Sequence, residues 1–139
     1  VFYTNYNSSK GQSIEHHNHV CLSFFWQSME RQVIIQGIAT KLPPEASDQY
    51  FQSRPRGSQL GAHVSNQSEV IESRSTLEKR LKFLADQYKN QPIPRPIYWG
   101  GYVVSPHSIE FWQGRTNRLH DRLVYKQKSS NWVIERLSP

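Results

Sequence analysis

After the proline-rich stretch Gln91–Pro96, four short runs of strand-forming residues follow in close succession: Trp99–Ser105, Ser108–Gly114, Arg122–Lys128 and Asn131–Leu137. Turn-forming residues bound each run, and many short strands with few helices predict a small antiparallel barrel. The N-terminal half adds three strand patterns. Val1–Tyr6 reads as a strand. Val20–Trp26 is a short apolar run with polar flanks, which predicts a buried strand. Arg31–Leu42 predicts a longer strand with both faces partly covered.

Helices are fewer. Asn7–Gly11 is a turn-rich loop, and Gln12–Asn18 predicts one or two helical turns. Pro43-Pro44-Glu45 is a helix start, with proline in the first turn and an acid at the positive end of the dipole. That helix should stop before Pro55. Ser75-Thr76-Leu77-Glu78 resembles a capping box, and Leu77, Leu81, Leu84 and Tyr88 recur at helical spacing to about Lys89. Three alternate prolines should stiffen Gln91–Pro96 into an extended linker.

Composition narrows the function classes. A chain of 139 residues is one domain's worth and can bury roughly two thirds of its unfolded surface. Four Trp, seven Tyr and six Phe supply large side chains for a core and argue against disorder. No apolar run approaches the ~20 residues that span a bilayer, so no membrane partner is expected. A single cysteine, Cys21, cannot form an internal disulfide, which fits a reducing compartment, most simply the cytoplasm. Seventeen basic against eleven acidic residues give +6, a surplus that favours anionic partners without choosing among them. There is no initiator Met, and the opening reads as a strand in progress, so the natural polypeptide is expected to be longer.

Several constellations carry candidate chemistry. In Arg118-Leu119-His120-Asp121-Arg122, an extended backbone would put Arg118, His120 and Arg122 on one face. Guanidinium forks bind phosphate, but a solvated basic edge strand has the same pattern. Phe111 and Trp112 in Glu110-Phe111-Trp112-Gln113-Gly114 can wall a flat heterocycle or belong to the core. Tyr50 and Arg54 share a helix face, and Ser58 follows a proline break where backbone N–H groups are free. The three can hold a phosphate monoester, or they mark an ordinary helix end. Gln67-Ser68 offers amide and hydroxyl groups that suit a ring edge or a plain loop. His17, His19 and Cys21 alternate as zinc ligands would, but no second cluster exists, so no metal is expected. Gly-rich phosphate loops and nucleophile elbows are absent.

Together these segments resemble the pyridoxine (pyridoxamine) 5′-phosphate oxidase family. The resemblance rests on Phe2-Tyr3-Thr4-Asn5, Glu30-Arg31-Gln32-Val33, Tyr50–Pro55, Ser58–Ala62, Trp99-Gly100-Gly101-Tyr102, Glu110–Gly114, Arg118–Arg122 and Glu135–Pro139. It implies a mainly β fold with a few helices, a split β-barrel of the FMN-binding type. Residues 1–139 would form one such domain, lacking the family's N-terminal strands. It implies a homodimer with FMN at the interface. The implied reaction is FMN-dependent oxidation of pyridoxamine 5′-phosphate or pyridoxine 5′-phosphate to pyridoxal 5′-phosphate, with O2 as acceptor and H2O2 as product.

Carried over by motif, the resemblance implies that Tyr3, Thr4, Lys10, Gln32, Gln67, Ser68, Trp112 and Arg122 contact FMN. It implies that Tyr50, Arg54 and Ser58 grip the substrate phosphate, and that Arg118 and His120 sit over its ring as the catalytic pair. Guanidinium stays protonated, so Arg118 is assigned positioning and electrostatic stabilisation. His120 is left between hydrogen bonding and proton transfer. The family usually has Arg-Lys where this chain has Ser9-Lys10, so one FMN-phosphate contact is expected to be lost. Two rival readings are a non-catalytic flavin- or pyridoxal-phosphate-binding protein of the same fold, and a basic RNA-binding barrel. Scattered rather than clustered cations argue against nucleic acid as a partner.

Overall fold

The computed structural model describes residues 1–139 as six strands and four α-helices. The strands are β1 (Phe2–Asn5), β2 (His19–Trp26), β3 (Arg31–Lys41), β4 (Trp99–Gln113), β5 (Asp121–Lys128) and β6 (Asn131–Leu137). The helices are α1 (Ser9–His16), α2 (Pro44–Ser53), α3 (Arg56–Val64) and α4 (Arg74–Gln87). Sheet order is β2-β3-β4-β5-β6, and β1 also pairs with β4, from Phe2↔Tyr102 to Asn5↔Trp99. The β1–β4, β2–β3, β4–β5 and β5–β6 pairings are antiparallel. No helix is long and apolar enough to cross a membrane.

The chain divides into two compact units, Val1–His17 with Lys41–Val103, and Asn18–Thr40 with Val104–Pro139. In the first, α2 starts with Pro44 in its first turn and Glu45 near its positive end, as the sequence predicts. Phe51, Leu60, Ile93 and Trp99 form the core, with Tyr3, Leu84 and Tyr88 packed against it. Full burial of a residue such as Phe51 stabilises by about 1.5–3 kcal/mol. The proline-rich stretch is stapled rather than free. Gln52 Nε2 donates to the Ile93 carbonyl, His63 Nε2 meets the Pro94 carbonyl, and the Arg56 guanidinium donates to the carbonyls of Tyr88 and Gln91.

In the second unit β2 and β3 form a hairpin through a 3-10 turn at Gln27–Met29, closed by Glu30 in the left-handed region. The expected buried strand at Val20–Trp26 is mostly exposed, with Phe25 at 59%. β2 lies at the edge of the sheet order, so within this chain only one strand pairs with it.

Other expectations also change. The two strands predicted at Trp99–Ser105 and Ser108–Gly114 are one, β4. Pro106 lacks an N–H, but β1 pairing ends at Tyr102 and β5 pairing begins at Ser108. Pro106 therefore falls between those two ladders, close against Gly37 of β3. Helix α4 begins at Arg74, not at the predicted capping box. The Oγ of its N-cap residue Ser73 meets the Ser75 hydroxyl at 2.7 Å and makes no cap bond. Helix α3 starts directly after Pro55, where the sequence reading assigns no element.

Gly100 and Gly101 are required by close approach. A Cβ on Gly100 would run into the Tyr6 hydroxyl and come within 3.1 Å of Ser47 Oγ. One on Gly101 would lie 2.8 Å from the Tyr3 ring. Gly100→Ala should cost about 1–3 kcal/mol, the usual range for overpacking, read as a lowered denaturation midpoint. An unchanged midpoint would contradict this packing.

Candidate functional site

Strand β1 carries Tyr3 and Thr4, α2 carries Tyr50, and Arg54 is the residue on which α2 ends. With Gln67 and Trp99 they line a cavity of about 600 Å³ in the first unit. Three rings face each other nearly parallel. Tyr3 and Tyr50 stack at 3.7 Å, and Tyr3 and Trp99 at 5.5 Å. The Arg54 guanidinium lies 4.6 Å from the centroid of the Trp99 ring, a cation–π contact of about 0.5–2 kcal/mol. Its Nη1 is buried and has no hydrogen-bond partner. A charged donor in that state is costly unless an anion meets it.

The surroundings hold these groups in place. Buried Gln59 directs Nε2 at the carbonyls of Phe51, Gln52 and Arg54, at 3.1, 3.2 and 3.2 Å. It thereby caps the end of α2 from which Arg54 leaves. Arg95 donates to the Trp99 carbonyl at 2.6 Å and to Asp48 of α2 at 2.6 Å. Gln67 Oε1 accepts from Thr4 Oγ1 and the Asn5 N–H, which leaves its amide N–H groups as donors. Ser68 is in the left-handed region, with φ 76°, and its Oγ accepts from the Ser9 N–H at the start of α1, next to exposed Lys10.

The second unit presents a different surface. Trp26, Met29, Gln32, Phe111 and Trp112 help line a cavity of about 580 Å³. Gln32 Nε2 donates to Ser23 Oγ at 3.2 Å. The imidazole of His120 lies 4.8 Å from the Trp112 ring. Arg122 is ion-paired rather than free. Nε and Nη2 donate to the two Glu110 oxygens at 2.7 and 3.1 Å, and Nη1 to the Ser138 carbonyl. That pairing raises its already high pKa. Asp121 accepts from Arg115 at 2.8 Å and Arg136 at 2.7 Å, and these two bonds hold its carboxyl below 3.8.

Tyr3, Thr4, Tyr50, Arg54 and Gln67 thus share one cavity, although the sequence reading divided them between cofactor and substrate. Ser58 lies in the first turn of α3, and its N–H donates to the Pro55 carbonyl at 2.8 Å. It is therefore not the free donor expected after a proline break. Arg118 does not extend a strand face with His120 and Arg122. It sits in a 3-10 turn with φ 61°, after Asn117 with φ 55°. Sequence reasoning missed Gln59, Arg95 and the part of Trp99 in the ring stack. No spacing rule pairs Gln59 with carbonyls up to eight residues earlier.

The first unit thus combines an aromatic cleft with a buried, unpartnered guanidinium, a chemistry suited to a flat, anionic ligand. Comparison with known proteins makes this specific. Residues 1–87 match the family model for pyridoxamine 5′-phosphate oxidase. Residues 99–139 match that for the pyridoxine 5′-phosphate oxidase C-terminal dimerisation region. The chain belongs to the pyridoxamine 5′-phosphate oxidase family, and its fold is of the mainly β, FMN-binding split-barrel type.

Relatives named pyridoxine/pyridoxamine 5′-phosphate oxidase include one from Flavobacterium johnsoniae, 62% identical over 99% of this chain and 65% of its own length. Another, from Acaryochloris marina, is 55% identical over 100% of this chain and 64% of its own. The chain thus spans slightly less than two thirds of these relatives. Among solved structures, PhzG from Burkholderia lata in complex with tetrahydrophenazine-1-carboxylic acid has a TM-score of 0.91 at 28% identity, covering 99% of this chain and 67% of that one. A pyridoxamine 5′-phosphate oxidase-related, FMN-binding protein from Nostoc punctiforme has a TM-score of 0.74 at 15% identity, covering 99% and 72%. At that identity the likeness shows the fold alone.

Two outcomes test the geometry. Gln59→Leu leaves three carbonyls without their buried donor and should cost about 1–3 kcal/mol in denaturant unfolding. A loss under half a kilocalorie, about the level of a neutral surface change, would refute its capping role. Because the folded-state pKa of Asp121 is depressed, its ion pairs stabilise fully above its ordinary value of 3.8. That stability is lost as pH falls through the lower folded value. A carboxyl titration by NMR should therefore place the Asp121 midpoint below 3.8, and a midpoint above it would contradict the pairing.

Proposed function

We propose that this chain is the greater part of an oxidase that converts pyridoxamine or pyridoxine 5′-phosphate to pyridoxal 5′-phosphate, with FMN as cofactor, O2 as acceptor and H2O2 as product. The observation that carries the reading is the buried, unpartnered Nη1 of Arg54 beside three near-parallel rings. A phosphate monoester on a flat heterocycle meets both features. The names of relatives at 53–62% identity support it.

The donor set suits both ligands. Arg54 and Tyr50, with Ser58 Oγ, bind the substrate phosphate, and the Arg54 fork can meet two phosphate oxygens. Tyr3, Thr4, Gln67, Ser68 and Lys10 are assigned to FMN, as are Gln32 and Trp112 by motif. Arg122 joins them with the two of its five N–H donors that its present bonds leave. When bound, FMN supplies the two-electron acceptor for the substrate's C4′ carbon. Arg118 keeps its proton throughout and stabilises negative charge on the substrate ring. His120 orients that ring.

The protein works as a homodimer in this reading. Phe24, Phe25, Trp26, Trp132 and Ile134 are exposed large apolar side chains of the second unit, which calls for a covering surface. The match of residues 99–139 to a dimerisation region supports a second copy. A second reading, ligand binding without turnover, draws on Ser9, which supplies a hydroxyl where the family's arginine would supply a charge.

Purified protein should have the visible absorption of oxidised flavin and consume O2 with pyridoxamine 5′-phosphate. Flavin without O2 uptake would favour the second reading. Arg54→Ala should raise KM for the phosphorylated substrate about 10- to 100-fold, the worth of a charge-assisted contact, with flavin retained. Loss of flavin at unchanged KM would overturn the assignment.

A further inference from the structure

We propose that Asp121 and Arg115 are positioning residues that hold His120 as the neutral imidazole protonated at Nε2, so that it meets the substrate ring as a hydrogen-bond donor. The proposal rests on the functional reading above for the identity of that substrate. The tautomer itself rests only on the geometry of the second unit.

The backbone N–H of Arg115 lies 3.1 Å from His120 Nδ1. A backbone N–H can only donate, so Nδ1 must present its lone pair. In a neutral imidazole the single proton is then on Nε2. Accepting a second proton at Nδ1 would break this bond. Nδ1 is therefore not the base, and Nε2, already protonated, has no lone pair to offer. The remaining role is donation from Nε2–H to an oxygen or nitrogen of the ligand ring.

The bond depends on the path of the chain between the two residues. Asn117 and Arg118 both adopt left-handed backbone, φ 55° and 61°, a conformation unfavourable for Arg118 in particular. Such a turn persists only if its ends are anchored. One end is held by the Gly114 N–H donating to the Glu30 carbonyl at 2.7 Å. At the other, Asp121 opens β5 opposite Gln113. Between them, Arg115 Nε donates to Asp121 Oδ2 at 2.8 Å, and Arg136 Nη1 of β6 donates to Asp121 Oδ1 at 2.7 Å. Asp121 thus joins the strand beneath the turn to the residue whose N–H reads His120. The Trp112 ring, at 4.8 Å, limits rotation of the imidazole.

The test uses the full chain labelled with 15N at histidine, with the His120 signals assigned by their loss in His120→Gln. Long-range proton–nitrogen correlations at neutral pH should give a pyrrole-type Nε2 and a pyridine-type Nδ1. Asp121→Ala should replace this pattern with an exchange average of both tautomers, and Asp121→Glu should restore it. Arg136→Ala removes one arm from an exposed side chain and should give an intermediate pattern, which keeps the test open if Asp121→Ala does not fold. A pyrrole-type Nδ1 in the unmodified protein would overturn the proposal, as would an unaltered pattern in Asp121→Ala or Arg136→Ala. The expected pattern in a protein that fails to oxidise pyridoxamine 5′-phosphate would sustain this assignment and retire the functional reading.

Discussion

A buried guanidinium nitrogen without a partner governs the first unit. Charge taken out of water must be met by another charge or by fixed hydrogen bonds. Arg54 has only the faces of Trp99 and, further off, Phe51. Much of the neighbouring structure serves to keep it there. Gln59 ends α2 at the right residue, Arg95 ties Trp99 to α2, and the paired glycines of β4 let Tyr3 and Tyr6 lie close against the strand. In the proposed function this arrangement serves as a preorganised anion seat, whose ordering cost is met in folding rather than on binding.

The second unit solves its electrostatics the opposite way. Its cations are largely spent on internal partners: Arg122 on Glu110, Arg115 and Arg136 on Asp121, Lys126 and Lys128 on Glu135. It also presents exposed aromatic surface, and its His120 Nδ1 meets a backbone N–H. A surplus of +6 therefore says little on its own, because the useful charge is the unpaired part.

Strand and helix patterns made much of the fold legible. The β5 and β6 patterns, the long β3 and the proline start of α2 all lie close to where periodicity and turn residues put them. What failed did so for local reasons. Pro106 reads as a break, yet sits in β4 between two pairing partners. Pro55 reads as a break that frees the following N–H groups, yet it is the N-cap residue of a new helix, α3. The exposure of Phe24, Phe25 and Trp26 is invisible to a pattern that equates apolar runs with burial. At the site, Tyr50 and Arg54 were legible because helical spacing joins them. The left-handed turn at Asn117–Arg118 was not, since no glycine announces it.

In the proposed function Arg54 receives a phosphate carried on a flat ring. Calorimetric titration of the protein with pyridoxal 5′-phosphate and with pyridoxal, under identical buffer and salt, isolates that contact. The phosphorylated ligand should bind at least tenfold more tightly, about 1.4 kcal/mol or more. Equal affinity for the two would refute the assignment.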